Sequence, residues 1–364
     1  MPHLPQAGRS HARRARVALG WGLAVAAVLQ AGMGLAILTR WSKVRAPVYG
    51  TKLALLRKRA AGRPLTVVML GSSRTGQGFR AGMLDGPLSR ELGRPVAAFN
   101  FGIPGTGPCA GLLYLRQLLR DGPRPDLLLL EVLPPLLAEQ KVPRDLDEAH
   151  VPTPFLQWAD LPVLARCGAG RRHLRRRWCR YAAWSWYYRR LDILEEAAPL
   201  LLHAARPANL GLDASGWERN PAEGRPAESR GRALEGTRAE YEPLVRDFRV
   251  GAGPRAALRE ALALCRAEGV PAALVLMPEG PAFRSWYGAG AWPRVRGLLE
   301  GLGREFGARV IDARCWMPED AFSDSHHLLP APATAFTARL GREAVAPLLR
   351  KLGADRRLAR RDGP

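Results

Sequence analysis

Short, nearly uninterrupted apolar runs recur along this chain with helix-forming segments between them. That alternation constrains the fold more than any other feature. Leu65–Leu70, Pro95–Phe101, Asp126–Val132, Val270–Met277 and Ala308–Asp312 have strand length and are rich in Val, Leu, Ile and Phe. They lack the polar-apolar alternation of a half-exposed strand, so they read as strands buried on both faces, as in a parallel sheet. Arg80–Leu92, Cys109–Arg120, Pro254–Glu268, Pro293–Glu305 and Ala333–Leu352 carry helical periodicity between or after them. The expected fold is α/β: a flavodoxin-like three-layer α/β/α sandwich with a mainly parallel five-stranded sheet.

Two stretches fall outside the alternation. Val17–Thr39 is uncharged and apolar between Arg16 and Arg40. As a helix it would be about 34 Å long, enough to cross a bilayer core. Arg9, Arg13, Arg14 and Arg16 precede it as in a signal n-region. The run is too long for a typical cleaved h-region and no small-x-small site follows it, so an uncleaved anchor is expected. Arg40, Lys43, Arg45 and Lys52 on the far side weaken the orientation signal. The expectation is a single-pass membrane protein with its N-terminus in the cytoplasm and its large domain extracytoplasmic. The second stretch, 138–254, is rich in Arg, Trp, Pro and Gly and reads as a mostly helical insertion, with helices near Asp160–Arg166, Leu174–Ala198 and Gly236–Phe248. The chain then divides into a basic segment 1–16, a transmembrane signal anchor 17–39, a connector 40–62 with a helix-compatible Tyr49–Ala61, the α/β domain 63–352 and a basic, frayed tail 353–364.

The 364 residues carry a formal net charge of +22, almost all from arginine. Such an excess suits a polyanionic partner, although the Ala, Gly, Leu, Arg and Pro bias of a GC-rich coding sequence accounts for part of it. Zinc-finger spacing, RNA-binding signatures and basic-zipper patterns are missing, so nucleic acid is not an expected partner. The densest basic run is Arg171-Arg172-His173-Leu174-Arg175-Arg176-Arg177-Trp178-Cys179-Arg180, with Trp184, Trp186, Tyr187, Tyr188, Arg189 and Arg190 after it. Interleaved Arg and Trp/Tyr suit a headgroup-level membrane surface or an anionic glycan. A solvated helix face over an aromatic core stripe fits equally well. Five scattered cysteines make no CxxC pair and no zinc spacing. Cys167 and Cys179 are candidates for a disulfide in an extracytoplasmic domain, or for buried free thiols. No metal and no cofactor is expected.

In doubly wound sheets, ligands bind beyond the carboxyl ends of the strands, and the unusual residues fall there. Gly71-Ser72-Ser73-Arg74-Thr75 follows the first strand, Asn100-Phe101-Gly102-Ile103-Pro104-Gly105 closes the second, and Glu131 ends the third. Met277-Pro278-Glu279 ends the fourth, and Asp324-Ser325-His326-His327 lies after the fifth. A serine on a tight turn after a strand is where a nucleophile sits, and an Asp-x-x-His pair can supply a base and its orienting carboxylate. Ser73 is the candidate nucleophile, with a plain N-cap or turn role as the alternative and Ser72 as its competitor. His327 and Asp324 are the candidate base and orienting acid, with His326 as the second imidazole. Arg74 suits either an anionic substrate or an ion pair. Glu131 reads more simply as a charged strand-end residue without chemistry.

These blocks, in this order, resemble the SGNH (GDSL-like) hydrolase and acyltransferase superfamily over roughly residues 63–135 and 255–350. Gly71-Ser72-Ser73 stands where that superfamily has Gly-Asp-Ser, and Asp324 and His327 match its Asp-x-x-His. The Asn-x-Gly-x-x-Gly frame of residues 100–105 matches its second block. The resemblance implies that the N–H groups of Ser73 and Gly105, with Asn100, form the oxyanion hole; the alternatives are that Gly105 serves only the turn around Pro104 and that Asn100 bonds only backbone at the strand end. It also implies an acyl-Ser73 intermediate that passes to water or to a sugar hydroxyl. The membrane-anchored Gly-Ser-Ser-Arg layout looks most like DUF1574-like and DltD/alginate-acetylation-like envelope proteins. That implies an acyl ester of an envelope glycan or lipid as substrate and a membrane-embedded acyl-donor protein as partner. One block departs: Glu131-Val132-Leu133-Pro134 replaces the superfamily's Gly-x-Asn-Asp, and losing an oxyanion donor costs about 10²–10³ in rate. A catalytically inactive member that binds glycan or anionic lipid is the alternative.

Overall fold

The computed structural model describes residues 7–39, 47–139, 156–167, 170–198, 211–224 and 226–361. The first helix, α1 (Ala7–Thr39), takes in residues 7–16 of the basic segment and the apolar run. Its Arg13–Ala36 stretch is long and apolar enough to cross a membrane. Arg40, Lys43 and Arg45 lie outside the described residues. Helix α2 (Pro47–Ala60) follows, and its Tyr49, Leu53 and Leu56 are almost fully buried in the main core. The connector helix therefore packs as an integral part of the α/β body.

The alternation then runs β1 (Leu65–Gly71), α3 (Ser73–Gly78), α4 (Asp85–Leu92), β2 (Val96–Gly102), α5 (Pro108–Asp121) and β3 (Leu127–Glu131). The insertion supplies α6 (Leu161–Arg166), α7 (Arg171–Ala183), α8 (Ser185–Tyr188), α9 (Arg190–Ala197) and α10 (Ala227–Arg246). The core resumes with α11 (Ala252–Ala267), β4 (Ala272–Leu276), α12 (Pro281–Ser285), α13 (Ala291–Phe306), β5 (Arg309–Asp312), α14 (Pro330–Leu340) and α15 (Ala346–Arg361). The five strands pair in the order β2-β1-β3-β4-β5, every neighbour parallel. The fold is the expected three-layer α/β sandwich. One apolar cluster lies between the sheet and α2, α5, α11 and α13; the other lies against α4, α14 and α15. The strand order reverses between β1 and β3, so the crevice for a ligand opens at the carboxyl ends of those two strands.

Three details differ from expectation. The helix expected over Leu174–Ala198 breaks at Trp184 (φ −130°, ψ 30°) and Arg189 (φ −111°, ψ 8°). The Trp184-Ser185-Trp186-Tyr187-Tyr188 stretch between those breaks consists of weak helix formers. The tail expected to fray at Gly353 instead continues as helix to Arg361. One helical glycine costs only about 1 kcal/mol, and the Ala, Leu and Arg residues after it favour helix. None of the five cysteines is in a disulfide; Cys167 is buried and Cys179 exposed, and the two do not pair.

Candidate active site

β1 ends at Gly71 and the chain turns at once into α3. Ser72 is the N-cap, extended at φ −89° and ψ −163°, and its Oγ accepts the Arg74 N–H at 3.2 Å. That fixes Ser73 at the first helical position, at the rim of the crevice. The turn leaves no room for side chains on its glycines. A Cβ on Gly71 would run into the Glu131 carboxylate and the Thr75 hydroxyl, and one on Gly102 into the backbone of Gly76 and Ser72. Gly71 and Gly102 are paired in register at the ends of β1 and β2.

Glu131 holds this elbow from the neighbouring strand. Its Oε2 accepts the Ser72 N–H at 2.7 Å, the Thr75 hydroxyl at 2.5 Å and the Thr75 N–H at 3.3 Å. Its Oε1 accepts the Ser72 hydroxyl at 2.8 Å. Ser72 is thus buried and committed on both sides, which removes it as a competing nucleophile. An ionised carboxylate only accepts, so Glu131 organises the turn and gives no hydrogen bond to an oxyanion.

The candidate base comes from the loop after β5. His327 Nε2 lies 2.8 Å from Ser73 Oγ, and His327 Nδ1 lies 2.8 Å from Asp324 Oδ2. Asp324 Oδ1 also accepts the N–H groups of His327 at 2.7 Å and His326 at 3.1 Å, closing an Asx turn. With an acceptor-only carboxylate on Nδ1, the neutral imidazole carries its proton there and turns the Nε2 lone pair toward Ser73. Burial pushes the Asp324 carboxyl up, but the His327 hydrogen bond and charge and the two backbone amides outweigh it and hold it below 3.8. The turn is locked from outside as well. Ser325 adopts φ 63°, an unfavourable region for serine, while its Oγ accepts the Phe283 N–H at 3.0 Å and donates to Glu319 Oε2 at 3.1 Å. The Ser325 carbonyl accepts the Gly280 N–H at 2.9 Å.

His326 is placed differently. It is buried, stacked on Phe283 at 5.2 Å and beside Tyr241 at 5.0 Å, with no partner on Nδ1. Burial, and then the charges of His327 and Arg74, push it well below 6.5. It packs behind the site as a neutral ring.

Among the oxyanion candidates, the Ser73 N–H has no partner among the described residues, whereas the other early N–H groups of α3 are taken up by Ser72 and Glu131. Gly105 sits in a turn closed by Thr106 N–H to Ile103 C=O at 3.2 Å, with Pro104 before it and φ 74° at the glycine itself. That is a type II turn, which requires a residue able to take positive φ at this place. The turn hangs from β1 by Ile103 N–H to Gly71 C=O at 2.8 Å. Asn100 is a correction. It is fully buried; its amide nitrogen donates to the carbonyls of Thr75, Gly76 and Phe79, and its Oδ1 accepts the Gly102 N–H. With its donors spent on tying α3 to β2, Asn100 has none for an oxyanion. Arg74 is also turned inward. It is buried, donates to the Met277 and Pro278 carbonyls at 3.0 and 2.7 Å, and faces Glu279 at 3.9 Å.

The sequence pattern missed one component. The insertion sends a loop, residues 211–220, around the site. The Glu218 N–H donates to the Gly76 carbonyl, the Ser215 carbonyl accepts the Asn100 N–H, and Trp217 Nε1 donates to the Gln77 carbonyl. Asn220 then reaches the acid-base loop at Ser323 Oγ and the Leu328 carbonyl. From α2, buried Lys52 donates to the Gly216 carbonyl at 2.7 Å and the Asn100 carbonyl at 3.1 Å. Burial brings Lys52 down to about 7, against the pull of Glu218 and Asp213. Burial raises the Glu218 carboxyl, while the nearby charges of Lys52 and His327 pull it back. The only sequence signal for this loop is the Asp213-Ala214-Ser215-Gly216 turn signature; nothing local places it at the nucleophile.

No family model and no curated protein matches the chain. Among solved structures it is similar to AlinE4, an SGNH-hydrolase family esterase, at 14% identity over 79% of this chain and 97% of that one, with a TM-score of 0.33. It is also similar to a catalytic mutant of Axe2, an acetylxylan esterase from Geobacillus stearothermophilus, at 12% identity over 76% and 93% of the two chains, with a TM-score of 0.32.

Proposed function

We propose that this protein is an SGNH-type serine esterase or O-acyltransferase, held at a membrane by α1, that takes its acyl group from an ester of an envelope glycan or lipid. The observation that supports this reading is the unbroken chain from Ser73 Oγ through His327 to Asp324, each link 2.8 Å. His327 Nε2 takes the Ser73 proton as Oγ attacks the acyl carbon, and Asp324 stabilises the imidazolium that forms. The free N–H of Ser73, joined by that of Gly105, receives the oxyanion. Collapse expels the alcohol with the His327 proton and leaves acyl-Ser73. Water or an acceptor hydroxyl then repeats the sequence in reverse and restores the serine. A membrane-embedded acyl-donor protein would serve as partner if the acyl group arrives from across the bilayer.

Glu131 favours a second reading. It stands where the resembled family has an amide donor, so a protein that binds glycan or anionic lipid without turning it over fits the same fold. Aryl acyl ester turnover by the full chain in detergent separates the two. Turnover that vanishes in Ser73→Ala supports the enzyme, and partition of the acyl group to an added sugar hydroxyl identifies transfer. Folded protein without turnover and without acyl-serine leaves the binding reading.

A further inference from the structure

The insertion helices carry a surface that the proposed chemistry does not use. In α7 the apolar positions Leu174, Trp178 and Tyr181 turn inward, Leu174 and Tyr181 buried and Trp178 half-buried. A core stripe accounts for those three. It leaves Trp184, Trp186 and Tyr187 outward, at 56%, 43% and 49% exposure. Arg171, Arg172, Arg175, Arg176 and Arg180 are exposed too, and none forms an ion pair among the described residues. Five clustered like charges repel one another and the exposed indoles form an apolar patch, and a merely solvated face needs neither.

The position of this surface identifies what it meets. α1 packs against α8. Among its described side chains α1 is exposed throughout except near its C-terminal end, where Gln30, Met33, Gly34 and Ala36 are wholly or partly covered. The aromatic residues of α8 therefore lie beside the C-terminal third of α1's apolar stretch, the side on which a spanning helix nears the headgroups before the α/β body. Beside them, Trp158, Leu161 and Pro162 with Arg171, Arg172 and Arg175 line a cavity of about 440 Å³. An indole wall with guanidinium groups suits a phosphate headgroup over an acyl boundary.

We propose that α7 and α8 form a docking face for the anionic phospholipid surface of the membrane that α1 enters, so that the α/β body lies against the bilayer. Docking would fix the height of the Ser73 crevice above the lipid. The proposal rests on α1 spanning the bilayer and not on the chemistry of Ser73.

Cys179, exposed on α7, reports on this face, and exposed Cys315 in the loop after β5 serves as an internal control. The full chain is reconstituted into nanodiscs of phosphatidylcholine or of phosphatidylglycerol and labelled with a membrane-impermeant maleimide, both sites being read by peptide mass spectrometry. Docking slows Cys179 several-fold in phosphatidylglycerol alone, leaves Cys315 unchanged, and is reversed by high salt. Replacing Arg175 and Arg176 by Gln shifts the docked-to-free ratio by about thirtyfold, at roughly fivefold for each charge. Equal Cys179 labelling in the two lipids overturns the proposal. So does protection that appears in phosphatidylcholine only when soluble polyphosphate is added, which would assign the face to a polyanionic polymer.

Discussion

The turn that carries the proposed base and its orienting carboxylate has two sides, and they treat the same residue type in opposite ways. On the open side, His327 is hydrogen-bonded at both ring nitrogens, to Ser73 and to Asp324. On the closed side, adjacent His326 lies against Phe283 and Tyr241 with Nδ1 unpartnered. One imidazole is held between a hydroxyl and a carboxylate, the arrangement that the proposed proton transfer needs. The other is held neutral because burial and neighbouring positive charge disfavour its protonated form. Two adjacent histidines near a motif are therefore not interchangeable candidates; the partners supplied by the rest of the fold separate them.

That contrast can be broken most sharply at the open side. Ser73→Ala and His327→Ala should each lower acyl ester turnover by about 10⁶-fold, because members of such a unit fail together. Asp324→Asn should cost about 10⁴-fold by presenting the wrong tautomer. All three should unfold close to the native temperature in a thermal melt. Glu131→Ala moves the loss from chemistry to scaffold: it orphans two backbone N–H groups and two hydroxyls, for about 3 kcal/mol in a denaturant titration.

His326→Phe probes the closed side. It should leave turnover nearly intact and cost no more than about 1 kcal/mol near pH 7. Its signature is the pH dependence of stability. The folded value of His326 lies well below 6.5, so below that pH the unfolded chain binds a proton that the native one refuses. Native stability then falls with falling pH, by up to about 1.4 kcal/mol per unit. The Phe variant should lose that slope. A wild-type slope retained in His326→Phe would assign it to another group. The smallest effect belongs to Glu218→Gln, which removes a negative charge near His327 and should lower turnover about fivefold at low salt.

Much of this was legible in the chain because it is local. Buried strands, the glycine-bounded elbow and the Asp-x-x-His turn are each written in a few consecutive residues. The roles of Asn100 and Glu131 are not. Asn100 has the residue type and spacing of an oxyanion-block residue, yet its amide meets carbonyls of Thr75, Gly76 and Phe79 that reach it only when α3 folds back on β2. Glu131 meets Ser72 and Thr75 only because β3 pairs with β1. The 211–220 loop is less legible still, since its partners on Lys52, Gly76 and Asn220's acid-base contacts come from three distant parts of the chain. The connector helix is hard to read in the chain for a related reason: Tyr49, Leu53 and Leu56 are too sparse to announce a core helix until the sheet gives them a surface.

Whether Ser73 is an activated nucleophile is read directly by a fluorophosphonate probe. The full chain is labelled near neutral pH, digested and mapped by mass spectrometry, beside Ser73→Ala and His326→Phe. The account expects one modified residue, Ser73, in the wild type and in His326→Phe, and no modification in Ser73→Ala. Folded wild-type protein that takes up no probe, or label that persists in Ser73→Ala, would contradict it.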